Sequence, residues 1–235
     1  MFNMTAGGLI SCVMATGNRP RFFRQALRCF ARQTYPNREL IVVDDGQPPV
    51  EEMCGGIDNV RYIRTGSPAP AGTKLNLAIE AARGEILQKL DDDDYYHPEF
   101  LATAAAHLPA EQQESTLVAW DCFLIAIAGE KRLRYSGYGW RAGGTFCFSK
   151  QMWRRKPFRD ISRSEDSWFA HDHQPAIVRV REPERYILVR HGGNSWTQMQ
   201  GGLDADQFLA TLQEYPRSME EVMADPEDVK FYRSL

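Results

Sequence analysis

The amino-terminal half of the chain alternates short apolar runs with segments of helical periodicity. Four apolar runs have the length of buried strands and end at polar or glycine-containing turns: residues 9–14, 39–43, 60–63 and 85–90. Residues 22–33 and 73–83 carry apolar side chains at helical spacing, and we expect Gly84 to cap the second of these helices. This alternation of strands and helices predicts an α/β sheet.

Polar residues follow three of the predicted strands at the point where each strand ends. These turns are residues 16–18, 44–46 and 91–94, the last being four consecutive aspartates. Ligands of open α/β sheets bind beyond the carboxyl ends of the strands, so we expect the three turns to meet on one rim. The aspartates therefore indicate a ligand site and not an acidic surface turn. Within the second turn we expect Gly46 to adopt a positive φ.

The carboxyl-terminal half is less regular. Its apolar stretches predict one or two strands within residues 117–128, a strand over 142–149 and a strand over 184–189. The pair Gly143-Gly144 indicates a bulge or a close approach of the backbone to a ligand. Ser164 is the expected N-cap of a helix, and the tail from residue 203 predicts two more helices, the second beginning at Asp225.

Composition fits a single globular domain. The chain has 235 residues, of which 43% are hydrophobic and 25% are charged. A net charge of -3 and a pI near 6.0 argue against binding of nucleic acid through a basic face. No signal peptide is visible, and the most apolar window, residues 116–129, is too short to span a bilayer. The five widely spaced cysteines suit a reducing compartment, so we expect a soluble, cytoplasmic protein.

Two basic clusters stand out locally. Arginines at positions 19, 21, 24, 28 and 32 follow the first predicted helix, and we interpret them as its hydrated face. Residues 153–156, with the sequence Trp-Arg-Arg-Lys, are interpreted as a loop that can meet an anion.

Taken in order, the motifs resemble glycosyltransferase family 2, whose members have the GT-A fold. The matching residues are Thr16-x-Asn18-Arg19, Gln33-Thr-Tyr-Pro36, residues 39–46, Asn76, residues 82–85, residues 90–94, Gly143-Gly-Thr-Phe146, Pro157-Phe158, Glu165-Asp166 and His191-Gly-Gly-Asn-Ser-Trp196. The resemblance implies a mixed central sheet flanked by helices in one GT-A domain over residues 1–202. Residues 8–115 would form the nucleotide-sugar half, 116–202 the acceptor and catalytic half, and 203–235 a C-terminal helical extension.

The resemblance also implies transfer of a sugar from a nucleotide-diphosphate sugar to an acceptor hydroxyl, with UDP as the commonest nucleotide of the family. Thr16 and Asp44 would contact the base, and Asp92 the donor sugar or the ribose. Lys74 would touch the diphosphate, although a solvated helix lysine explains it equally well. The remaining expected donor-binding residues are Asn18, Arg19, Gly143 and Gly144.

A divalent metal, Mg²⁺ or Mn²⁺, is the expected cofactor. The leaving diphosphate needs a cation, and these ions take carboxylate and phosphate oxygens as ligands. By resemblance, Asp93 and Asp91 hold the metal as an Asp-x-Asp pair. His191 either reaches the metal or the diphosphate, or has a structural role.

Glu165 and Asp166 resemble the acidic pair of the family that deprotonates the acceptor, with Asp166 as the general base. Transfer would then proceed by one displacement with inversion. The same pair also suits the first turn of a helix, where the helix dipole favours acidic residues.

Two other functions remain open from the residues alone. A sugar-1-phosphate nucleotidyltransferase would keep the fold class, but residues 15–19 contain one glycine and lack the Gly-rich loop of those enzymes. A non-catalytic carbohydrate- or nucleotide-binding module would hold Ca²⁺, but the aspartates lack EF-hand spacing. The acceptor is unassigned, and a lipid-linked one would make the protein peripheral at a membrane. Three tryptophans suit either sugar stacking or the core: Trp140, Trp153 and Trp196.

Overall fold

The computed structural model describes residues 7–109, 113–197, 202 and 204–235, which form two β-sheets with flanking helices. The strands within these residues are β1 (Ile10–Thr16), β2 (Arg38–Asp44), β3 (Val60–Arg64), β4 (Ile86–Lys89), β5 (Tyr95–Tyr96), β6 (Thr116–Trp120), β7 (Leu124–Ile127), β8 (Arg134–Tyr135), β9 (Cys147–Ser149), β10 (Ala176–Val180) and β11 (Tyr186–Arg190). The helices of the same residues are α1 (Pro20–Ala31), α2 (Ala71–Ala81), α3 (Phe100–His107), α4 (Lys150–Arg155), α5 (Glu165–His173), α6 (Ala205–Ala210), α7 (Met219–Val222) and α8 (Pro226–Arg233).

The larger sheet has seven strands in the order β10-β6-β9-β4-β1-β2-β3. β1 pairs in parallel with β2 and β4, whereas β9 runs antiparallel to β4 and β6, so the sheet is mixed. Cys12 and Met14 of β1 belong to a core that includes α1, and Val13 belongs to a second core that includes α2. Burial on both faces of the sheet explains why the sequences of these strands are continuous apolar runs. The predicted mixed α/β sheet with flanking helices is confirmed.

A smaller sheet has the order β5-β11-β7-β8 and shares its core with α1, α3 and the C-terminal helices. Residues 225–234 pack against α1, where the buried Asp228 of α8 accepts a hydrogen bond from Gln25 at 2.6 Å and pairs with Arg32. The predicted division of the chain at residue 202 stays a prediction. Among the described residues, no helix has the length and apolar character needed to span a membrane.

Several local predictions differ from the structure. α2 ends at Ala81, so Gly84 does not cap it; a Cβ on Gly84 would instead lie 2.8 Å from Ser11 Oγ and overlap the carbonyl oxygen of Leu9. Within residues 142–149, Gly143–Thr145 form a 3₁₀ turn, and only Cys147–Ser149 form a strand. The described part of the tail contains three helices where two were predicted, because the short α7 was not recognised.

Both interpretations of the basic clusters are also corrected. Arg28 of α1 and Arg32, which directly follows this helix, pair with acidic residues of the C-terminal segment, so that end of the helix is not simply hydrated. Residues 150–155 form α4 and not a loop, and Arg154 pairs with Glu85 at 2.8 Å while Lys156 pairs with Asp172 at 2.9 Å. These cations therefore already have carboxylate partners.

Candidate active site

Three chain segments meet at the carboxyl edge of the larger sheet. The last residues of β1 and β2, Thr16 and Asp44, are paired in register, and Thr16 Oγ1 donates a hydrogen bond to Asp92 at 2.6 Å. Lys74 of α2 reaches the same place, where its Nζ donates to the Thr16 carbonyl at 2.9 Å and to Asp45 at 2.8 Å. The predicted convergence of the three polar turns on one rim is confirmed.

The four aspartates after β4 point in different directions. Asp94 is buried, accepts the N–H of Val189 at 2.8 Å and the O–H of Tyr186, and so ties the turn to β11. Burial and repulsion from Asp93 raise the pKa of Asp94 well above its usual value. Asp94 therefore braces the turn.

Asp92 and Asp93 share one cation, the guanidinium of Arg19. One Arg19 nitrogen donates to Asp92 at 3.1 Å and to Asp93 at 2.8 Å, and the other donates to the carbonyl of Gly193 at 2.6 Å. Burial and repulsion from Asp93 raise the pKa of Asp92 to about 6. The interpretation of Arg19 as part of a hydrated helix face is therefore wrong, and its side chain lies in the rim.

His191 reaches the acidic turn from the second half of the chain. Its Nε2 lies 3.0 Å from Asp93 Oδ2, and its ring stacks on Phe22 with 4.2 Å between centroids. Asn194 accepts the backbone N–H of His191 at 2.6 Å and donates to Asp93 at 3.3 Å. The loop after β11 therefore closes over the same carboxylate that Arg19 contacts.

Lys89, the last residue of β4, is a buried cation on the other side of the turn. Its Nζ lies 2.5 Å from Asp91 and 3.7 Å from Glu165. Burial lowers the pKa of Lys89, but attraction to Asp91, Glu165 and Asp166 outweighs burial and raises it overall. Lys89 is thus charged and links the acidic turn to the start of α5.

Two glycines make room for two carboxylates at this link. A Cβ on Gly144 would lie 2.6 Å from an oxygen of Asp91, and a Cβ on Gly143 would lie 2.7 Å from the Cβ of Asp166. The glycine pair indicated a close approach, and in the structure the groups that approach the two glycines are the side chains of Asp91 and Asp166. Contact of either glycine with a donor stays a prediction.

Glu165 and Asp166 form the first turn of α5. Asp166 accepts the N–H of Ser167 at 2.6 Å and is partly exposed, whereas Glu165 faces Lys89. Burial, together with repulsion from Asp166, raises the pKa of Glu165. Ser164 is the N-cap residue as predicted, but it has a φ of 60° and its side chain makes no capping hydrogen bond.

Asp44 is fully buried, and both of its carboxylate oxygens are occupied. It accepts the N–H groups of Gly46 at 2.7 Å and Val50 at 3.1 Å, the O–H of Tyr62 at 2.8 Å and the guanidinium of Arg64 at 3.1 Å. A nucleotide base that bound Asp44 would have to join or displace these donors. Contact of Asp44 with a base stays a prediction.

The other predicted donor-site residues also lie on the rim. Lys74 is buried, with 9% of its surface exposed, so the alternative of a solvated helix lysine is wrong. Asn18 has a φ of 59° and accepts the N–H of Gln47 at 2.7 Å. Gly46 does not have the predicted positive φ; glycine is required there because a Cβ would overlap the backbone nitrogen of Asn18.

The acidic turn suits a divalent cation through its donor chemistry. Among the described residues, no three His, Cys, Asp or Glu side chains are grouped as metal ligands. Mg²⁺ needs only one or two carboxylates when phosphates and waters complete its coordination. Asp93 offers one such carboxylate, beside the imidazole of His191, whereas Asp91 faces Lys89 on the other side of the turn.

Three further residues were not singled out from the sequence. Lys89 could have been recognised as a lysine inside an apolar strand. Tyr138 and Trp168 are exposed by 66% and 40%, but nothing in the sequence distinguished them from other aromatic residues. The tryptophans that were considered are buried or half-buried: Trp153 belongs to a core, and Trp140 packs against Trp196 with 6.3 Å between centroids.

Comparison with known proteins gives consistent matches. A family model described as Glycosyl transferase family 2 matches residues 11–185. The chain is 34% identical to the putative colanic acid biosynthesis glycosyl transferase WcaA of Escherichia coli over 104 residues. The matched segment covers 42% of this chain and 37% of that protein. The chain is 29% identical over 116 residues to the poly(ribitol-phosphate) beta-N-acetylglucosaminyltransferase TarS of Staphylococcus aureus, 46% of this chain and 20% of TarS. The chain thus spans a minor part of the length of these relatives.

Solved structures show the same fold. Residues 1–349 of S. aureus TarS in complex with UDP-GlcNAc match with a TM-score of 0.60 and 20% identity, over 79% of this chain and 60% of that chain. The complex of the same protein with UDP matches with a TM-score of 0.58 and 20% identity, over 77% of this chain and 60% of that chain. This likeness confirms the predicted fold class.

Proposed function

Since the chain belongs to glycosyltransferase family 2 and is a glycosyltransferase, we propose that it transfers a sugar from a UDP-sugar to an acceptor hydroxyl with inversion. The structural likeness to a protein solved with UDP-GlcNAc and with UDP supports this donor. Family membership argues against the alternatives of a nucleotidyltransferase and a non-catalytic module. A cytoplasmic location stays part of the proposal.

The observation that carries the proposal is the run of charged contacts between the acidic turn and α5. At one end Asp93 lies against Arg19 and His191, and at the other Asp91 is joined through Lys89 to Glu165. Glycosyl transfer needs a cationic site for the leaving diphosphate and a base for the acceptor. At the first end, Arg19 offers a guanidinium to the diphosphate. At the second end, the first turn of α5 carries the carboxylates of Glu165 and Asp166, which are candidates for the base.

The proposed base is Asp166. The acceptor oxygen attacks the anomeric carbon as the bond from that carbon to the diphosphate oxygen breaks, and the hydroxyl proton passes to the Asp166 carboxylate. The N–H of Ser167 and the close packing on Gly143 fix the orientation of this carboxylate. Attack opposite the leaving group gives inversion and requires no covalent intermediate.

The leaving diphosphate would be bound by the rim. Asp93, with His191 beside it, would hold Mn²⁺ or Mg²⁺, which when bound offsets negative charge on the diphosphate. Asp91 would join as the second carboxylate by turning away from Lys89. Arg19 would add a guanidinium to the same site. The remaining proposed donor contacts are Thr16, Asn18, Asp44, Lys74, Asp92, Gly143 and Gly144.

Incubation with a panel of nucleotide sugars and Mn²⁺ tests this proposal. We expect slow release of UDP from a UDP-sugar without an acceptor, and loss of that activity in Asp93→Ala or with EDTA. Full activity in EDTA would contradict the metal assignment. Absence of UDP release, or release of pyrophosphate from a nucleoside triphosphate and a sugar 1-phosphate, would contradict the proposed function.

A further inference from the structure

A cavity of about 230 Å³ opens beside α5, the helix whose first turn carries the proposed base. Its lining residues are Arg141, Ser167, Ala170, His171, Gln174 and Pro175. Ser167 directly follows Asp166 in α5, and Arg141 shortly precedes Gly143, against which Asp166 packs. The cavity therefore lies between the same two segments that hold the proposed base.

The cavity is of a size and polarity that suit a small hydroxyl-bearing group. Ser167 and His171 lie one helical turn apart on α5, and Gln174 directly follows this helix; the three residues present a hydroxyl, an imidazole and an amide to the cavity. Drug-sized ligands occupy pockets of about 300–1,000 Å³, so this smaller cavity has room for one sugar unit and not for a whole nucleotide sugar.

Arg141 supplies the guanidinium group in the lining of this cavity. Arg141 is exposed and makes no ion pair or hydrogen bond within the described residues. Nearby, the buried Asp121 binds Arg179 at 2.6 Å, Arg181 at 3.1 Å and the N–H of Gly139 at 3.1 Å, which fixes the segment that leads to Arg141. Arg179 and Arg181 thus share a carboxylate partner, whereas Arg141 has none among the described residues.

An exposed aromatic ring lies three residues before Arg141 along the chain. Tyr138 precedes the segment of Arg141, and the guanidinium of Arg181 lies 5.0 Å from its ring centroid. The ring is 66% exposed and offers a flat apolar face beside the arginines. Such a combination suits a sugar ring that carries a negative group.

We propose that this cavity is the acceptor subsite and that the acceptor carries an acidic group, a phosphate or a carboxylate, close to the attacking hydroxyl. This inference rests on the proposed function, because it takes Asp166 as the base. The planar guanidinium of Arg141 binds the acidic group through paired hydrogen bonds. The chain has a net charge of -3, so the guanidinium of Arg141 is needed to attract an anionic acceptor.

Binding of simple probes to the full chain tests the subsite. Glucose 6-phosphate, glucuronic acid, inorganic phosphate and neutral glucose are titrated separately and followed by ligand-observed NMR. We expect at least one of the acidic sugars to bind more tightly than both glucose and inorganic phosphate, and the better of the two identifies the acidic group. Arg141→Gln should weaken that binding about tenfold or more, because it removes a charge-assisted hydrogen bond. The matched control is Arg24→Gln, an exposed arginine of α1 outside both sites, which should leave the affinity unchanged.

Equal binding of acidic and neutral sugars, or an affinity that Arg141→Gln does not change, would overturn the inference. UDP release from a UDP-sugar by the wild-type chain is measured alongside. Release of UDP without binding of acidic sugars rejects the subsite alone. Binding that depends on Arg141 without hydrolysis of any nucleotide sugar rejects the proposed function while the anionic site stands.

Discussion

Gly143 shows how one missing Cβ positions the proposed base. The side chain of Asp166 occupies the space that a larger residue would need, with its Cβ only 2.7 Å from the position of an added Cβ on Gly143. Only the absence of a side chain at residue 143 lets the 3₁₀ turn and α5 approach this closely. The sequence indicated the close approach but could not identify its partner, because residues 143 and 166 are distant along the chain.

Gly143→Ala should therefore displace Asp166 and lower turnover. Misplacement of a catalytic group by about 1 Å costs on the order of 10²-fold in rate, which we expect for steady-state turnover of a UDP-sugar. Gly66→Ala is the matched control, because a Cβ on Gly66 meets nothing within 4 Å. Unchanged turnover in Gly143→Ala would show that the position of Asp166 does not matter.

At the scale of secondary structure, Lys89 connects β4 to α5. The ends of both elements carry carboxylates, and the buried ammonium between Asp91 and Glu165 compensates their charge. Strands β1, β2 and β4 and the turns that follow them could be predicted because each apolar run ends in polar residues. The pairing of Lys89 with Glu165 could not, because it depends on how α5 docks onto the sheet.

Lys89→Met should destabilise the fold strongly. Removing one partner of a buried ion pair leaves uncompensated charge and costs about 3–5 kcal/mol of unfolding free energy. Urea denaturation measures this loss, and Lys230→Met is the control, because Lys230 has a side chain that is 78% exposed. Adding Glu165→Gln to Lys89→Met should restore part of the stability, and no recovery would contradict the pairing.

At the scale of the whole molecule, the C-terminal segment is hydrogen-bonded to the end of the acidic turn. Tyr232 of α8 donates its O–H to the carbonyl of Asp94 at 3.1 Å, and Tyr95 accepts the N–H of Ala224 at 3.2 Å. These contacts join residues 224–235 to the turn that follows β4. The sequence predicted helices in this tail but not their docking, because the segment lies outside the motifs that resemble the family.

Tyr232→Phe should weaken the whole fold modestly. A lost intramolecular hydrogen bond costs about 1 kcal/mol of unfolding free energy, and urea denaturation followed by tryptophan fluorescence measures it. Tyr138→Phe is the control, since its ring is 66% exposed and its loss of the hydroxyl should change stability little. If both substitutions have the same effect, the contact between α8 and the turn does not stabilise the protein.

The central claim is that Asp166 is the base of a glycosyl transfer, and one comparison tests it most directly. Affinity for UDP and turnover of a UDP-sugar are measured for wild type, Asp166→Asn and the exposed control Asp58→Asn. Because the amide is nearly isosteric but cannot accept the proton, turnover in Asp166→Asn should fall about 10²–10⁴-fold while the affinity for UDP is kept. The control should match the wild type. Full turnover in Asp166→Asn, or equal losses of turnover and of affinity, would contradict the account.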